Sequence, residues 1–154
     1  MENRLASLLD ARLIATLATT EPDGSAYLSA VWFLCDGDEI LIATGGRTRK
    51  ARNAAERPGA SLLIDTRGPG ALRGAAATGT ARVVRGPEAL ANNERVWAKY
   101  LSPAGRAHPN VGVSIREHDD VTIVFTPDAW RTWGTDEDFG GALEQPGIAY
   151  PLES

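Results

Sequence analysis

The residues best suited to binding chemistry lie together in one short stretch, residues 45–52 (GGRTRKAR). The paired glycines can take backbone angles that other residues avoid, so we expect the chain to turn tightly there and to begin a helix with Thr48 as its N-cap. Aligned backbone dipoles already give a helix start about half a positive charge, so the cations of this stretch are unfavourable unless an anion balances them. Free amide donors, a hydroxyl and cations at a glycine-rich turn favour a phosphate site formed by Arg47, Thr48, Arg49 and Lys50.

The same cluster has a second interpretation. A solvated basic helix, whose arginines pair with Asp or Glu from elsewhere in the chain, would have the same composition. The cluster alone leaves both interpretations open.

The neighbouring elements must place this stretch at the end of a sheet. Glu39–Thr44 is an apolar run with β-branched residues, which predicts a strand that leads into the glycine turn. Pro58 and Gly59 end the basic helix, and Ala60–Asp65 is a second short apolar strand. We therefore expect strand, turn, basic helix and strand in that order.

Turn residues and apolar patterns predict the remaining elements. Tyr27–Cys35 follows Leu13–Thr20 as the second strand of a hairpin, and a tight turn at residues 36–38 then continues into Glu39–Thr44 as an antiparallel meander. The other predicted elements are an N-terminal helix with leucines at helical spacing, strands at 73–85, 121–125 and 130–133, and a helix from Pro87 to about Leu101. Six or seven strands with about three short helices argue for a mainly β, closed or partly closed antiparallel barrel, because an open sheet would leave exposed edges.

Composition limits the class of protein. A chain of 154 residues with 43% hydrophobic residues is long enough for one core, and we expect a domain over residues 1–135 with an acidic tail over 136–154 that is mobile or reaches a partner chain. A net charge of −4 argues against a nucleic-acid binder, so the basic cluster suits a small anion.

No apolar run is long enough to cross a membrane, and the N-terminus lacks the apolar core of a signal peptide, which favours the cytoplasm. His108, His118 and the single Cys35 have no metal-ligand spacing, so we expect no metal site.

Three fragments, in this order, resemble the pyridoxamine 5′-phosphate oxidase-like superfamily of flavin-binding split barrels. They are IATLATTEPDGSAYLSAVWF, ILIATGGRTRKARNAAERPGASLLID and RGAAATGTARVV, and together they span about half of the chain, from Leu13 to Val84. Within the second fragment, Thr48-Arg49-Lys50 resembles the Ser-Arg-Lys turn of the family. Asn53 and Pro58 match the approach to its next strand.

The resemblance implies a six-stranded antiparallel split β-barrel that forms a homodimer, with a flavin or deazaflavin in each of two clefts between protomers. Thr48, Arg49 and Lys50 would bind the cofactor phosphate, with Thr44 at the preceding strand end. The strand under the flavin ring would be Ser29, Ala30, Val31 and Trp32. Trp133 is either a core residue or faces the ring from the neighbouring protomer.

At several positions this chain lacks residues that the family's vitamin B6 enzymes carry, and these differences exclude some functions. True pyridoxine-phosphate oxidases carry an arginine and a lysine where this chain has Ser29 and Leu34, and their substrate-phosphate residues have no counterpart in residues 100–154. We therefore expect an FMN-dependent oxidoreductase that acts on a small organic substrate other than a vitamin B6 phosphate, with its catalytic residues unidentified. In flavin enzymes the cofactor carries the hydride chemistry, so few titratable side chains are needed. The alternatives are coenzyme F420 in place of FMN, and a carrier that binds a flavin or haem without turnover.

Overall fold

A computed structural model describes residues 2–68, 70–115 and 119–153 of the chain. Of the residues named above, His118 lies outside the described ranges, whereas His108 is exposed. The helices are α1 (Glu2–Asp10), α2 (Arg49–Glu56), α3 (Pro87–Tyr100), α4 (Pro103–Ala107), α5 (Pro109–Ile115) and α6 (Thr135–Asp138), with a 3-10 helix at Ala142–Glu144. The strands are β1 (Ala15–Thr20), β2 (Ala26–Val31), β3 (Leu34–Asp36), β4 (Glu39–Gly45), β5 (Gly59–Asp65), β6 (Arg73–Val84) and β7 (Asp120–Gly134).

The strands form one antiparallel sheet in the order β2-β1-β5-β6-β7-β4-β3. Two parts of the expectation are corrected, because the described sheet has seven strands rather than six and its ends are not joined into a closed barrel. The described part of the chain also contains six α-helices rather than about three. The prediction of a mainly β, antiparallel fold is confirmed.

The predicted strand Tyr27–Cys35 is wrong as a single element. Trp32 and Phe33 interrupt it, so β2 pairs with β1 at one edge of the sheet while β3 pairs with β4 at the other edge. Both antiparallel pairings of the predicted meander are present, but they form two hairpins, β1–β2 and β3–β4, instead of three consecutive continuous strands. Phe33 is fully buried and its backbone N–H donates to the Tyr100 hydroxyl at 3.3 Å instead of to a neighbouring strand. We call residues 32–33 the two-residue link.

The two predicted C-terminal strands are one strand, β7. Its pairing with β6 shifts register beside Gly79, opposite the segment that contains Pro127. Proline lacks a backbone N–H and is tolerated in a sheet only where the ladder is irregular. A side chain at Gly79 would collide with the Thr126 carbonyl, so the shift also requires a residue without Cβ.

The core lies inside the curled sheet. Leu17, Phe33, Ile42, Ile64 and Phe125 are among its fully or almost fully buried side chains, and the first turns of α2 pack small alanines against it. A second, smaller cluster joins α3 to the outer side of β4 and β7. Among the described residues, no helix is both long enough and apolar enough to span a bilayer.

Buried polar groups fix α3 on the sheet. Asn93 is fully buried and donates to the Val121 carbonyl at 3.1 Å, while its own carbonyl oxygen accepts from the Thr122 hydroxyl at 2.8 Å. Buried amides that lose a partner are costly, so these bonds specify one position for the helix. That position places Trp97, one turn farther along α3, beside the end of β4.

Candidate functional site

A cleft of about 500 Å³ lies where the end of β2, the end of β4, the start of α2 and one side of α3 meet. Its volume falls within the range of small-molecule sites, roughly 300–1,000 Å³. Six residues predicted from the sequence line it: Ala30, Val31, Trp32, Thr44, Thr48 and Lys50. These residues come from three separate elements, so the fold brings together the two groups that the sequence placed in different fragments.

The polar end of the cleft is the start of α2. Thr48 has an extended backbone and its hydroxyl accepts from the amide of Ala51 at 3.4 Å, so the predicted N-cap is confirmed. The same hydroxyl donates to the Gly45 carbonyl at 2.8 Å and lies 3.1 Å from the Thr44 hydroxyl. No acidic residue occupies the first turn of the helix, so its positive end is not balanced within α2.

Lys50 is the cation of the cleft. Its side chain is half-buried, and among residues 2–68, 70–115 and 119–153 it makes no hydrogen bond or ion pair. Burial lowers the pKa of its ammonium, because the charged form loses hydration. An ammonium in this state gains from an anionic ligand, which would supply both a hydrogen-bond acceptor and a counter-charge.

Arg49 points away from the cleft. Its Nη2 lies 2.7 Å from Oε2 of Glu21, and its guanidinium lies 5.0 Å from the centre of the Tyr27 ring. Glu21 is buried and also accepts from the Asn53 amide at 3.1 Å. The hydrogen bond from Arg49 holds the pKa of the Glu21 carboxyl below its usual value, and the hydrogen bond from the Asn53 amide lowers it further. Arg49 therefore belongs to a polar network that anchors α2 to the end of β1.

Arg47 also lies outside the cleft. Its side chain is 95% exposed, and its Nε lies 3.7 Å from Oδ2 of Asp119. Each of the two interpretations of the basic cluster therefore applies to some of its residues. Arg47 and Arg49 pair with carboxylates of this chain, whereas Lys50 faces the cleft.

The remaining predicted residues, Ser29 and Trp133, do not line the cleft of the same chain. Ser29 pairs with Leu17 across β1 and β2, and its buried hydroxyl finds no hydrogen-bond partner in the described part of the chain. Trp133 lies near the far end of β7, where its indole covers Gly74 so closely that any side chain there would collide with it.

Gly45 of the predicted turn also lines the cleft, and four residues that the sequence did not predict complete its wall: Ile14, Ala43, Trp97 and Asp120. Trp97 is buried on α3, at 6% exposed. No local signal distinguishes a core tryptophan from one that also faces a cleft. Asp120 is placed there by its pairing with Gly45 across β4 and β7, a contact between distant parts of the sequence.

A second surface lies on the outside of the sheet, where no helix of the described residues lines the groove. A groove of about 540 Å³ runs across β1, β2, β5, β6 and the end of β7. Leu28, 63% exposed, lies at one end and Trp133 at the other, with Ala18, Leu63 and Ala76 between them. We call these five residues the uncovered sheet face.

Comparison with known proteins agrees with this architecture. A family model described as pyridoxamine 5′-phosphate oxidase matches residues 1–134. The crystal structure of a conserved hypothetical protein from Mycobacterium tuberculosis has a TM-score of 0.73 and 27% sequence identity, covering 100% of this chain and 91% of that one. A structure named F420 reductase has a TM-score of 0.62 and 25% identity, over 81% of this chain and 94% of that one.

A heme storage protein from Vibrio cholerae shares the fold, with a TM-score of 0.66 and 16% identity over 86% of this chain and 92% of that one. Among proteins of curated function, none matches this sequence significantly.

Proposed function

Since the chain belongs to the pyridoxamine 5′-phosphate oxidase family, which confirms the resemblance found in the sequence, we propose that it is an oxidoreductase that holds FMN in this cleft. Its substrate is a small organic molecule that exchanges hydride with the cofactor. Because Ser29 and Leu34 stand where the vitamin B6 phosphate oxidases carry basic residues, that substrate is not a vitamin B6 phosphate.

The observation that carries this proposal is the environment of Lys50. A half-buried ammonium, with no carboxylate partner among the described residues, stands beside the capped start of α2. The same cleft is walled by Trp32, Trp97 and aliphatic side chains, and its lining also includes Asp120. One charged end and one flat apolar wall fit a phosphorylated aromatic cofactor.

Each lining residue then has a defined task. Lys50 would hold the phosphate, together with the free amides of the first helical turn. The Thr48 hydroxyl would join them by exchanging its bond to the Gly45 carbonyl for one to a phosphate oxygen. Ala30 and Val31 lie on β2, which is the edge strand of the sheet, so one side of its backbone is not used by a neighbouring strand. That backbone would hydrogen-bond the polar rim of the ring. A bound flavin would supply hydride transfer, while Trp32 and Trp97 exclude water from its face.

Coenzyme F420 is the alternative cofactor of the same cleft. The likeness to a structure named F420 reductase supports it, at 25% identity over 81% of this chain. Both cofactors present a phosphate and a tricyclic ring, so Lys50 would serve either. Direct titration distinguishes them.

We also propose that two copies of the chain associate through the uncovered sheet face. Contiguous apolar patches on monomers mark interaction sites, and this one combines the exposed Leu28 with Trp133. In such a homodimer Trp133 would lie at the contact between copies.

The test is the absorption spectrum of the purified protein, followed by mass measurement of the molecule that it releases on denaturation. Titration of the cofactor-free protein with FMN and with F420 should give saturable binding of one of them. The reduced complex should then lose its electrons to one member of a panel of small oxidised substrates. Binding without turnover would establish a carrier, and failure to bind either cofactor would refute the proposal.

A further inference from the structure

We propose that Tyr100 is the positioning residue of the cleft, because it holds Trp32 in the orientation that forms the flat apolar wall. This inference rests on the proposed function, since the wall matters through the ring that it contacts. Tyr100 itself does not line the cleft. It acts through Trp32 and through the two-residue link.

The first contact is between the two rings. The centroids of Trp32 and Tyr100 are 4.9 Å apart, and the ring planes differ by 2°. Tyr100 is the last residue of α3, and Trp32 leaves the end of β2. Trp32 is half-buried and borders the cleft. A parallel stack restricts its rotation more than general apolar packing does, because turning the indole out of the plane would break the ring contact.

The second contact is made by the Tyr100 hydroxyl. It donates to the Leu13 carbonyl at 2.7 Å and accepts from the Phe33 N–H at 3.3 Å. Leu13 precedes Ile14, which lines the cleft, and Phe33 follows Trp32. One side chain therefore fixes two segments that flank the cleft, at a place where neither segment is held by a strand ladder.

The position of Tyr100 is itself well determined. Asn93 fixes α3 on β7 through buried hydrogen bonds. Next to Tyr100, the Lys99 ammonium donates to the Leu9 carbonyl at 3.0 Å and lies 3.9 Å from the centre of the Phe33 ring. The end of α3 thus holds the two-residue link from two adjacent residues, and Tyr100 is the one that contacts the wall.

The experiment compares Tyr100→Phe with Tyr100→Leu in the full-length protein, using FMN and F420 as probes. Phenylalanine keeps the stack and loses only the hydroxyl, whereas leucine removes the planar partner. Tyr150→Leu is the matched control, because Tyr150 is 97% exposed and remote from the cleft residues. The readouts are the dissociation constant of the bound probe, its visible circular dichroism and the melting temperature.

We expect Tyr100→Leu to weaken binding about tenfold and to change the circular dichroism of the bound ring, because the indole is no longer held parallel. Tyr100→Phe should retain the circular dichroism signal and bind within about threefold of the wild type, since the stack remains. A purely structural role would lower the melting temperature of both variants and leave the circular dichroism of the bound ring unchanged.

The inference is overturned if folded Tyr100→Leu binds the probe with wild-type affinity and signal. If that variant does not fold, Tyr100→Met provides the same comparison with a side chain of closer volume. Wild-type protein that binds neither probe would instead refute the proposed function, and the two failures are therefore distinguishable.

Discussion

Arg49 and Lys50 are adjacent in sequence but face opposite environments. The Arg49 guanidinium lies 2.7 Å from the buried Glu21 carboxylate, whereas the Lys50 side chain lines the cleft. Consecutive residues at a helix start differ in direction by about 100°, so a single turn can serve two tasks. The basic run therefore contains one cation that anchors the helix and one that is available to a ligand.

The first prediction concerns Lys50. Lys50→Ala should weaken the binding of FMN or F420 about ten- to hundredfold, because a charge-assisted contact contributes about 1.5–3 kcal/mol. The measurement is fluorescence or absorbance titration of the cofactor-free protein. Arg52→Ala is the matched control, since Arg52 is an exposed cation two positions farther along the same helix. Equal dissociation constants for Lys50→Ala and wild type would remove Lys50 from the phosphate site.

The second prediction concerns Arg49. The Arg49 hydrogen bond lowers the pKa of Glu21 from 4.5 in the folded protein, so the pair stabilises the fold above about pH 4.5. This stabilisation is lost as the pH falls through the lowered folded pKa. Arg49→Ala should therefore melt at a lower temperature than wild type at pH 7, and the two curves should converge under acid conditions. A difference that is independent of pH would mean that lost packing, not the ion pair, causes the effect.

The third prediction uses Lys99, whose pKa burial lowers from 10.5 to about 8. Between these values the unfolded chain binds more protons than the folded one, so this group makes the free energy of unfolding rise with pH from about 8 towards 10.5. Lys99→Arg cannot lose its proton in that range and should lack the rise. Urea denaturation at pH 7, 8, 9 and 10 measures the difference between the two proteins. Parallel curves would show that Lys99 titrates normally.

The fourth prediction concerns the uncovered sheet face. Leu28→Asp should convert a dimer into a monomer at micromolar concentration, because it places a charge within the apolar contact. Leu90→Asp is the control, since Leu90 is similarly exposed, at 53%, but lies on α3. Light scattering coupled to size-exclusion chromatography reports the mass of each. A wild-type monomer, or a Leu90→Asp variant that dissociates equally, would contradict the proposed contact.

Sequence reasoning succeeded where the chemistry is local. The N-cap at Thr48, the ends of α2 and the strands on either side of it depend on residues within a few positions, and the structure confirms them. The family resemblance added the end of β2 to the same site, and Ala30, Val31 and Trp32 indeed border the cleft.

It failed where a distant side chain decides the local conformation. Residues 27–35 have the composition of one continuous strand, yet Tyr100, 67 positions from Phe33, binds the Phe33 backbone and the strand divides there. The partner of Arg49 is likewise 28 positions away in sequence. The predicted strands at 121–125 and 130–133 are likewise one strand, because the register shift beside Gly79 accommodates Pro127 within it.

The two-residue link between β2 and β3 also limits the shape of the whole sheet. These strands are the first and last in sheet order, yet the Cα atoms of Val31 and Leu34 can be no more than about 11 Å apart along the chain. The sheet must therefore curl until its outer edges are neighbours. A chain lengthened by several glycines at this point would lose that limit, and the ends of β2 and β4 that border the Lys50 cleft would no longer be held at a fixed separation.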